Sequence, residues 1–88
     1  MKTIWKFPLK VTDVQTLEIP LPATVRAVQV QSNTVCLWAE VDPESEKALV
    51  TILLAGTGHP LPEGKTRYIS TFQLHGGSLV FHAYESIG

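Results

Sequence analysis

Apolar and β-branched residues gather in short runs that recur about every ten residues, with Pro, Gly, Asn and Asp between the runs. This spacing is typical of a β-sandwich or barrel. No long window has the apolar periodicity of an amphipathic helix without interruption by Pro, Gly or β-branched runs, so helix is expected to be nearly absent. The pattern predicts strands over Thr3 to Leu9, Val14 to Ile19, Val25 to Gln31, Thr34 to Val41, Ala48 to Ala55, Tyr68 to Leu74 and Leu79 to Tyr84.

The segment from Thr34 to Val41 shows the clearest alternation, because every second residue from Val35 is apolar, as in a strand with one buried face. Ser32-Asn33 before it predicts a tight turn. His75-Gly76-Gly77-Ser78 predicts a hairpin turn, since glycine readily adopts the positive φ that such turns need. Pro8 has no backbone N–H, which favours an edge position for the first strand or a bulge at this residue.

The apolar run from Ala48 to Ala55 is open to two interpretations, a central strand or a buried helix, and we interpret it as a strand. Short connections favour antiparallel pairing in a meander or Greek key. We therefore expect an all-β fold, a small antiparallel β-sandwich or flattened barrel of about six or seven strands, with residues 1–88 in one domain. Edge strands and two tryptophans, Trp5 and Trp38, favour a homo-oligomer.

Composition and charge narrow the possible partners. The 88 residues are 44% hydrophobic and 17% charged, which is enough apolar material for a folded core. Seven Lys and Arg balance eight Asp and Glu to a net charge of -1, so duplex nucleic acid is not an expected partner. The acidic stretch from Glu40 to Glu46 is interpreted as a solvated turn, because nothing apolar surrounds it to raise a carboxyl pKa for catalysis.

Cys36 is the only cysteine, which excludes an internal disulfide, and its neighbours Val35 and Leu37 predict a buried thiol. Residues Met1 to Lys10 alternate basic and apolar groups without the continuous apolar run of a signal peptide or a membrane span. The expectation is an intracellular, reducing location with no membrane partner.

Three histidines, His59, His75 and His82, raise the question of a metal site, which needs three or four converging ligands. If Gly76-Gly77 centres the hairpin, His82 lies opposite Thr71, and His75 and His82 are about 13 Å apart along the strands. No metal or other cofactor is therefore expected. No residue stands in a recognisable nucleophile motif, and a small hydrolase or lyase using His59 or His82 is kept as an alternative.

The stretch from Gly56 to Lys65 contains three Gly and two Pro and is the longest predicted loop. Its first residues, Gly56, Thr57, Gly58 and His59, would allow backbone N–H groups to approach an anion such as a phosphate. The loop lacks the following helix and the Gly-Lys-Ser/Thr ending of a phosphate loop, so a structural bulge followed by a turn is favoured, and a ligand-contacting loop is the alternative. The other candidate ligand-binding residues are three cations and one aromatic side chain, namely Lys65, Arg67, Arg26 and Trp38. For Trp38, burial in the core or in a subunit contact is favoured over stacking on a ligand.

Several segments together resemble a family of small uncharacterised proteins encoded by bacteriophages and prophages. These segments are Trp5-Lys6-Phe7-Pro8-Leu9, Cys36-Leu37-Trp38-Ala39, Val41-Asp42-Pro43, Gly56 to Pro60, Thr71 to Gly77 and Leu79 to His82, with Glu85. The resemblance spans most of the chain but brings no functional residue with it. It implies a phage accessory protein in the cytoplasm of an infected bacterium, where small phage proteins often neutralise host components, including nucleotide immune signals.

The sequence therefore predicts a non-catalytic function, the binding and sequestration of a small anionic ligand such as a nucleotide immune signal. The predicted site is the segment from Gly56 to His59 with Lys65, Arg67 or Arg26. The alternative is a protein-interaction module that inhibits a host protein or serves in the virion, because no convergent polar site is evident in the sequence.

Overall fold

A computed structural model describes residues 1–88 and contains seven strands and one short 3-10 turn. The strands are β1 (Thr3–Pro8), β2 (Val14–Pro20), β3 (Thr24–Gln31), β4 (Thr34–Val41), β5 (Lys47–Gly56), β6 (Thr66–Leu74) and β7 (Leu79–Ser86), and the 3-10 turn is His75–Gly77. Each predicted strand is confirmed, with ends that differ by at most two residues. No helix of the protein has the length and apolar character needed to cross a membrane.

The strands form two sheets in which every pairing is antiparallel. Sheet A has the order β1-β4-β3, and sheet B has the order β2-β5-β7-β6. The chain passes between the sheets after β1, β2 and β4. This arrangement confirms the predicted all-β class and the small antiparallel sandwich.

The core lies between the two sheets and follows from residue alternation. In β4 every second residue from Val35 to Val41 is buried, as predicted. In β5, Ile52 and Leu54 enter the same core at two-residue spacing, which shows why this apolar run is a strand and not a helix. Cys36 is 2% exposed, so the prediction of a buried thiol is confirmed.

The predicted turns have the backbone geometry that their sequences favour. Ser32 and Asn33 have φ values of 49° and 66°, as a two-residue hairpin turn requires. Gly76 and Gly77 also have positive φ, and His75 joins them at 53°. Pro8 lies in β1, which pairs only with β4 and is therefore an edge strand, as predicted.

The edge strands β3 and β6 lie against each other and close one side of the sandwich. They do not share a backbone ladder. Instead, the backbone N–H of Val28 donates to the Ser70 hydroxyl at 3.0 Å, and the Gln29 side-chain amide donates to the Thr71 carbonyl at 3.4 Å. A side-chain hydroxyl thus satisfies a backbone donor that would otherwise be left without a partner at a partly buried seam.

Replacement of Ser70 by Ala should lower the free energy of unfolding by about 1–3 kcal/mol, because the N–H of Val28 loses its acceptor. Urea denaturation measures this change. Ser78→Ala is the control, since the Ser78 hydroxyl makes an exposed bond to the His75 carbonyl and its loss should cost within about 0.5 kcal/mol. Equal effects of the two substitutions would contradict the role assigned to Ser70.

Candidate functional site

Residues 57–65 form a connection that must cross sheet B from one end to the other. Strands β5 and β6 both pair antiparallel with β7, which lies between them, so β5 and β6 run parallel to each other. A chain that leaves β5 at Gly56 has to return to the opposite end of the sheet before β6 begins at Thr66. The longest predicted loop is therefore a crossover connection, and we call residues 57–65 the crossover loop.

The crossover loop covers the outer face of sheet B, the face turned away from sheet A. Leu53 and Ala55 belong to this outer face, because they alternate with the core residues Ile52 and Leu54. They are nevertheless only 8% and 7% exposed. A cleft of about 480 Å³ lies here, lined by Asp13, Val14, Leu53, Leu54, Ala55, Gly56, His59, Pro60, Pro62 and Glu63.

The crossover loop begins with a tight turn from Gly56 to His59. The N–H of His59 donates to the Gly56 carbonyl at 3.0 Å, and the φ of Gly58 is 88°, as the third residue of a type II turn requires. A methyl group on Gly56 would lie 3.1 Å from Nδ1 of His59, so the imidazole packs closely on this glycine. The N–H of Thr57 donates to the Val80 carbonyl at 3.1 Å, whereas the N–H of Gly58 makes no hydrogen bond within the protein.

His82 ties the turn to the last two strands through both of its ring nitrogens. Its Nε2 lies 2.8 Å from the Thr57 hydroxyl, and its Nδ1 lies 2.9 Å from the Thr71 hydroxyl. The Tyr68 hydroxyl extends the chain of hydrogen bonds, 2.6 Å from that of Thr71. Thr71 and His82 are paired across β6 and β7, which confirms the hairpin register predicted from the sequence.

The hydrogen-bonded chain around His82 consists of hydroxyl groups on both sides of an imidazole. A nucleophilic triad also needs an acid that stabilises the imidazolium ion, and here that position is held by the neutral Thr71 hydroxyl. No group of three or more His, Cys, Asp or Glu side chains lies close enough to hold a metal ion. The arrangement is therefore best suited to fixing the turn and orienting hydroxyl groups.

The structure brings four of the eight predicted site residues together and separates the rest. Gly56, Thr57, Gly58 and His59 form the turn. In the β6–β7 ladder Arg67 lies opposite Glu85, whereas in the β5–β7 ladder Gly56 lies opposite Phe81. Phe81 and Glu85 are four residues, or about 13 Å, apart along β7. Lys65 precedes Arg67 at the same end, and its carbonyl accepts from the N–H of Ile87.

Arg26 and Trp38 lie on the outer face of sheet A, away from the crossover loop. The ladder between β3 and β4 shifts between Val25 and Ala27, and this bulge lets Arg26 reach the outer face next to Ala27. The Arg26 guanidinium is ion-paired there with Glu40. Trp38 is half-buried on this face, opposite Ala27, and so does not lie in the core between the sheets, whereas Trp5 packs against that core.

A second, smaller cleft of about 240 Å³ lies on the other side of the turn and also has His59 in its wall. Its remaining lining is Gly56, Thr57, Ser78, Leu79, Val80 and Phe81. Asp13 and Glu63, which line the larger cleft, were not predicted as site residues. Their presence in one lining depends on the pairing of β2 with β5 and on the path of the crossover loop. The contact of His82 with Thr71 could be predicted, because the hairpin sequence places these two residues opposite each other.

The hydrogen bond between Thr57 and His82 should appear as an energetic coupling. In a double-mutant cycle of Thr57→Val and His82→Leu, measured by urea denaturation, we expect an interaction free energy of about 0.5–1.5 kcal/mol. Thr51→Val is the matched control, because Thr51 lies on the same face, roughly 13 Å along the strands from His82. Its effect should add to that of His82→Leu within about 0.5 kcal/mol. Additivity in both cycles would contradict the coupling.

Comparison with protein families matches residues 1–88 to the family described as Domain of unknown function (DUF7352). No curated protein and no solved structure matches the chain. The matched region includes both sheets, the crossover loop and the turn from Gly56 to His59. The chain therefore belongs to the DUF7352 family.

Proposed function

We propose that this domain binds a small anionic ligand, without chemical turnover, at the turn from Gly56 to His59. The observation that carries the proposal is the exposed N–H of Gly58, which makes no bond within the protein although the N–H groups of Thr57 and His59 are both bonded. An exposed backbone donor held in a fixed turn is the kind of group that anion-binding loops use. The absence of a Cβ at Gly58 leaves this donor open to a ligand.

The Thr57 hydroxyl supplies a second donor beside Gly58. When His82 donates from Nε2, the Thr57 oxygen accepts, and the hydroxyl hydrogen is free for the ligand. In this tautomer Nδ1 of His82 accepts from the Thr71 hydroxyl, so both ring nitrogens have a hydrogen-bond partner. The Thr57 hydroxyl is thereby held in a fixed position beside Gly58.

The charges around the turn favour the smaller cleft for the anionic group. No carboxylate lines that cleft, and Ser78 adds a hydroxyl group to its wall. In contrast, Asp13 and Glu63 line the larger cleft and would repel an anion. Gly58 is not itself in the lining, but it directly follows Thr57, which is. Since Lys65, Arg67 and Arg26 line neither cleft, binding would rest on neutral donors and histidine.

The resemblance to phage-encoded proteins gives this proposal a biological setting. In an infected bacterial cytoplasm, a domain that binds a nucleotide immune signal without degrading it would lower the free concentration of that signal. Sequestration of this kind needs tight binding and no turnover. The absence of a carboxylate from the hydrogen-bonded chain of Thr57, His82 and Thr71 is compatible with such a function.

A protein-interaction module is the second candidate, and the outer face of sheet A favours it. Trp38 is half-buried at the centre of this face, and Ile4 on the edge strand is 50% exposed. Aromatic side chains of this kind are enriched at protein interfaces. Pull-down from host lysate tests this candidate. It is favoured if the wild-type chain and Gly58→Ala capture a stoichiometric protein partner, either a host protein or a second copy of this chain, and Trp38→Ala does not.

A His-dependent hydrolase or lyase is the third candidate, favoured by the distance of 2.8 Å between the Thr57 hydroxyl and His82. It differs from the sequestration proposal in a single measurable property, turnover. Conversion of a bound nucleotide that stops in His82→Gln would establish catalysis. Recovery of the intact nucleotide after denaturation of the complex would support sequestration.

Gly58→Ala should weaken binding of the anionic ligand roughly tenfold or more, because the added methyl group stands next to the free N–H. Calorimetry against cyclic di- and trinucleotides and ADP-ribose derivatives measures the affinity. Gly64→Ala is a matched control, since Gly64 has φ +89° against +88° at Gly58 and equally open surroundings. Both variants carry similar backbone strain, of about 1–2 kcal/mol, but only Gly58 belongs to the turn.

Two outcomes of this titration would contradict the proposal. The first is that none of these nucleotides binds in a saturable manner. The second is that Gly58→Ala and Gly64→Ala reduce the affinity equally, since the loss would then arise from strain in the crossover loop and not from the donor at Gly58.

A further inference from the structure

We infer that the larger cleft binds the base of a nucleotide and prefers guanine to the other bases. This inference rests on the proposed function, in which the smaller cleft and the N–H of Gly58 hold the anionic part of the same ligand. Gly56 and His59 line both clefts, so the two spaces adjoin at the turn. A ligand with an anionic end and a planar end can therefore occupy both sides at once.

The larger cleft has the size and the apolar walls of a site for a planar ring. Its volume of about 480 Å³ lies within the range of roughly 300–1,000 Å³ that is usual for small-molecule sites. Val14, Leu53 and Ala55 contribute apolar side chains from the neighbouring strands β2 and β5. Pro60 and Pro62 add two apolar rings from the crossover loop. Leu53 and Ala55 are already almost fully covered, so a ring would gain apolar contact chiefly from Val14, which is 58% exposed, and from the two prolines.

The only charged residues in this lining are Asp13 and Glu63. Neither takes part in a salt bridge, since the two salt bridges of the protein join the N-terminus to Asp42 and Arg26 to Glu40. An ionised carboxylate only accepts hydrogen bonds. Asp13 and Glu63 are both exposed. At this cleft they favour a ligand group that presents N–H donors and disfavour one that carries negative charge.

Among the common bases, guanine fits this requirement best. Its N1–H and its N2 amino group stand side by side on the Watson–Crick edge and can donate together to the two oxygens of one carboxylate. The corresponding edge of adenine or cytosine presents an amino donor beside an acceptor nitrogen, which a carboxylate oxygen would repel. Asp13 and Glu63 are thus the specificity-determining residues of the inference.

Calorimetric titration of the full chain with guanosine monophosphate (GMP), inosine monophosphate and adenosine monophosphate tests the inference. GMP should bind roughly tenfold to a hundredfold more tightly than adenosine monophosphate, because one charge-assisted bond replaces a repulsive contact. Inosine monophosphate lacks the N2 amino group and should lie between them. The double variant Asp13→Asn/Glu63→Gln should bring GMP to the affinity of adenosine monophosphate, and the single variants show which carboxylate makes the contact.

Glu18→Gln/Glu44→Gln is the charge-matched control, since both residues are exposed and neither lines the cleft. The control should leave the guanine preference unchanged. If the three nucleotides bind with equal affinity and Gly58→Ala still weakens their binding, the inferred guanine preference is overturned while the proposed function stands. Binding of the amine agmatine as tightly as GMP would also overturn it, because the cleft would then select positive charge and not a base. Failure of all three nucleotides, and of the cyclic nucleotides and ADP-ribose derivatives, would overturn both proposals.

Discussion

The order of strands in sheet B is the constraint on which the rest of the candidate site depends. Because β7 lies between β5 and β6 and pairs antiparallel with both, the chain has to return across the whole sheet in residues 57–65. This return covers Leu53 and Ala55 on a face that the sandwich core leaves outside. The two clefts and the turn between them exist because the connection crosses there.

Hydrogen bonds at the start of the crossover loop fix the turn from Gly56 to His59. Val80 accepts from the N–H of Thr57, and His82 bonds its hydroxyl group, so the same residue is held through backbone and side chain. The cost of ordering the turn is therefore met during folding, which leaves the N–H of Gly58 in place before any ligand arrives. The hydroxyl partners on both sides of His82 hold its imidazole in position against the turn.

Local patterns in the sequence were sufficient for the strands, the turns and the hairpin register. The alternation in β4, Pro8 at an edge, and His82 opposite Thr71 all depend on residues close in sequence, and all are confirmed. The candidate site depends on long-range pairing, which periodicity does not contain. Neither the presence of Asp13 and Glu63 in one cleft lining nor the bulge that lets Arg26 pair with Glu40 has a signal in the neighbouring residues.

The central claim is that the turn from Gly56 to His59 holds the anionic part of a nucleotide through the N–H of Gly58. Proton–nitrogen NMR spectra of the labelled protein, recorded during titration with a nucleotide, test it at the atom concerned. The account predicts that the Gly58 amide shows the largest change in chemical shift, with Thr57 and His59 next and the outer face of sheet A unaffected. Changes centred on Trp38, with the Gly58 amide unmoved, would contradict it.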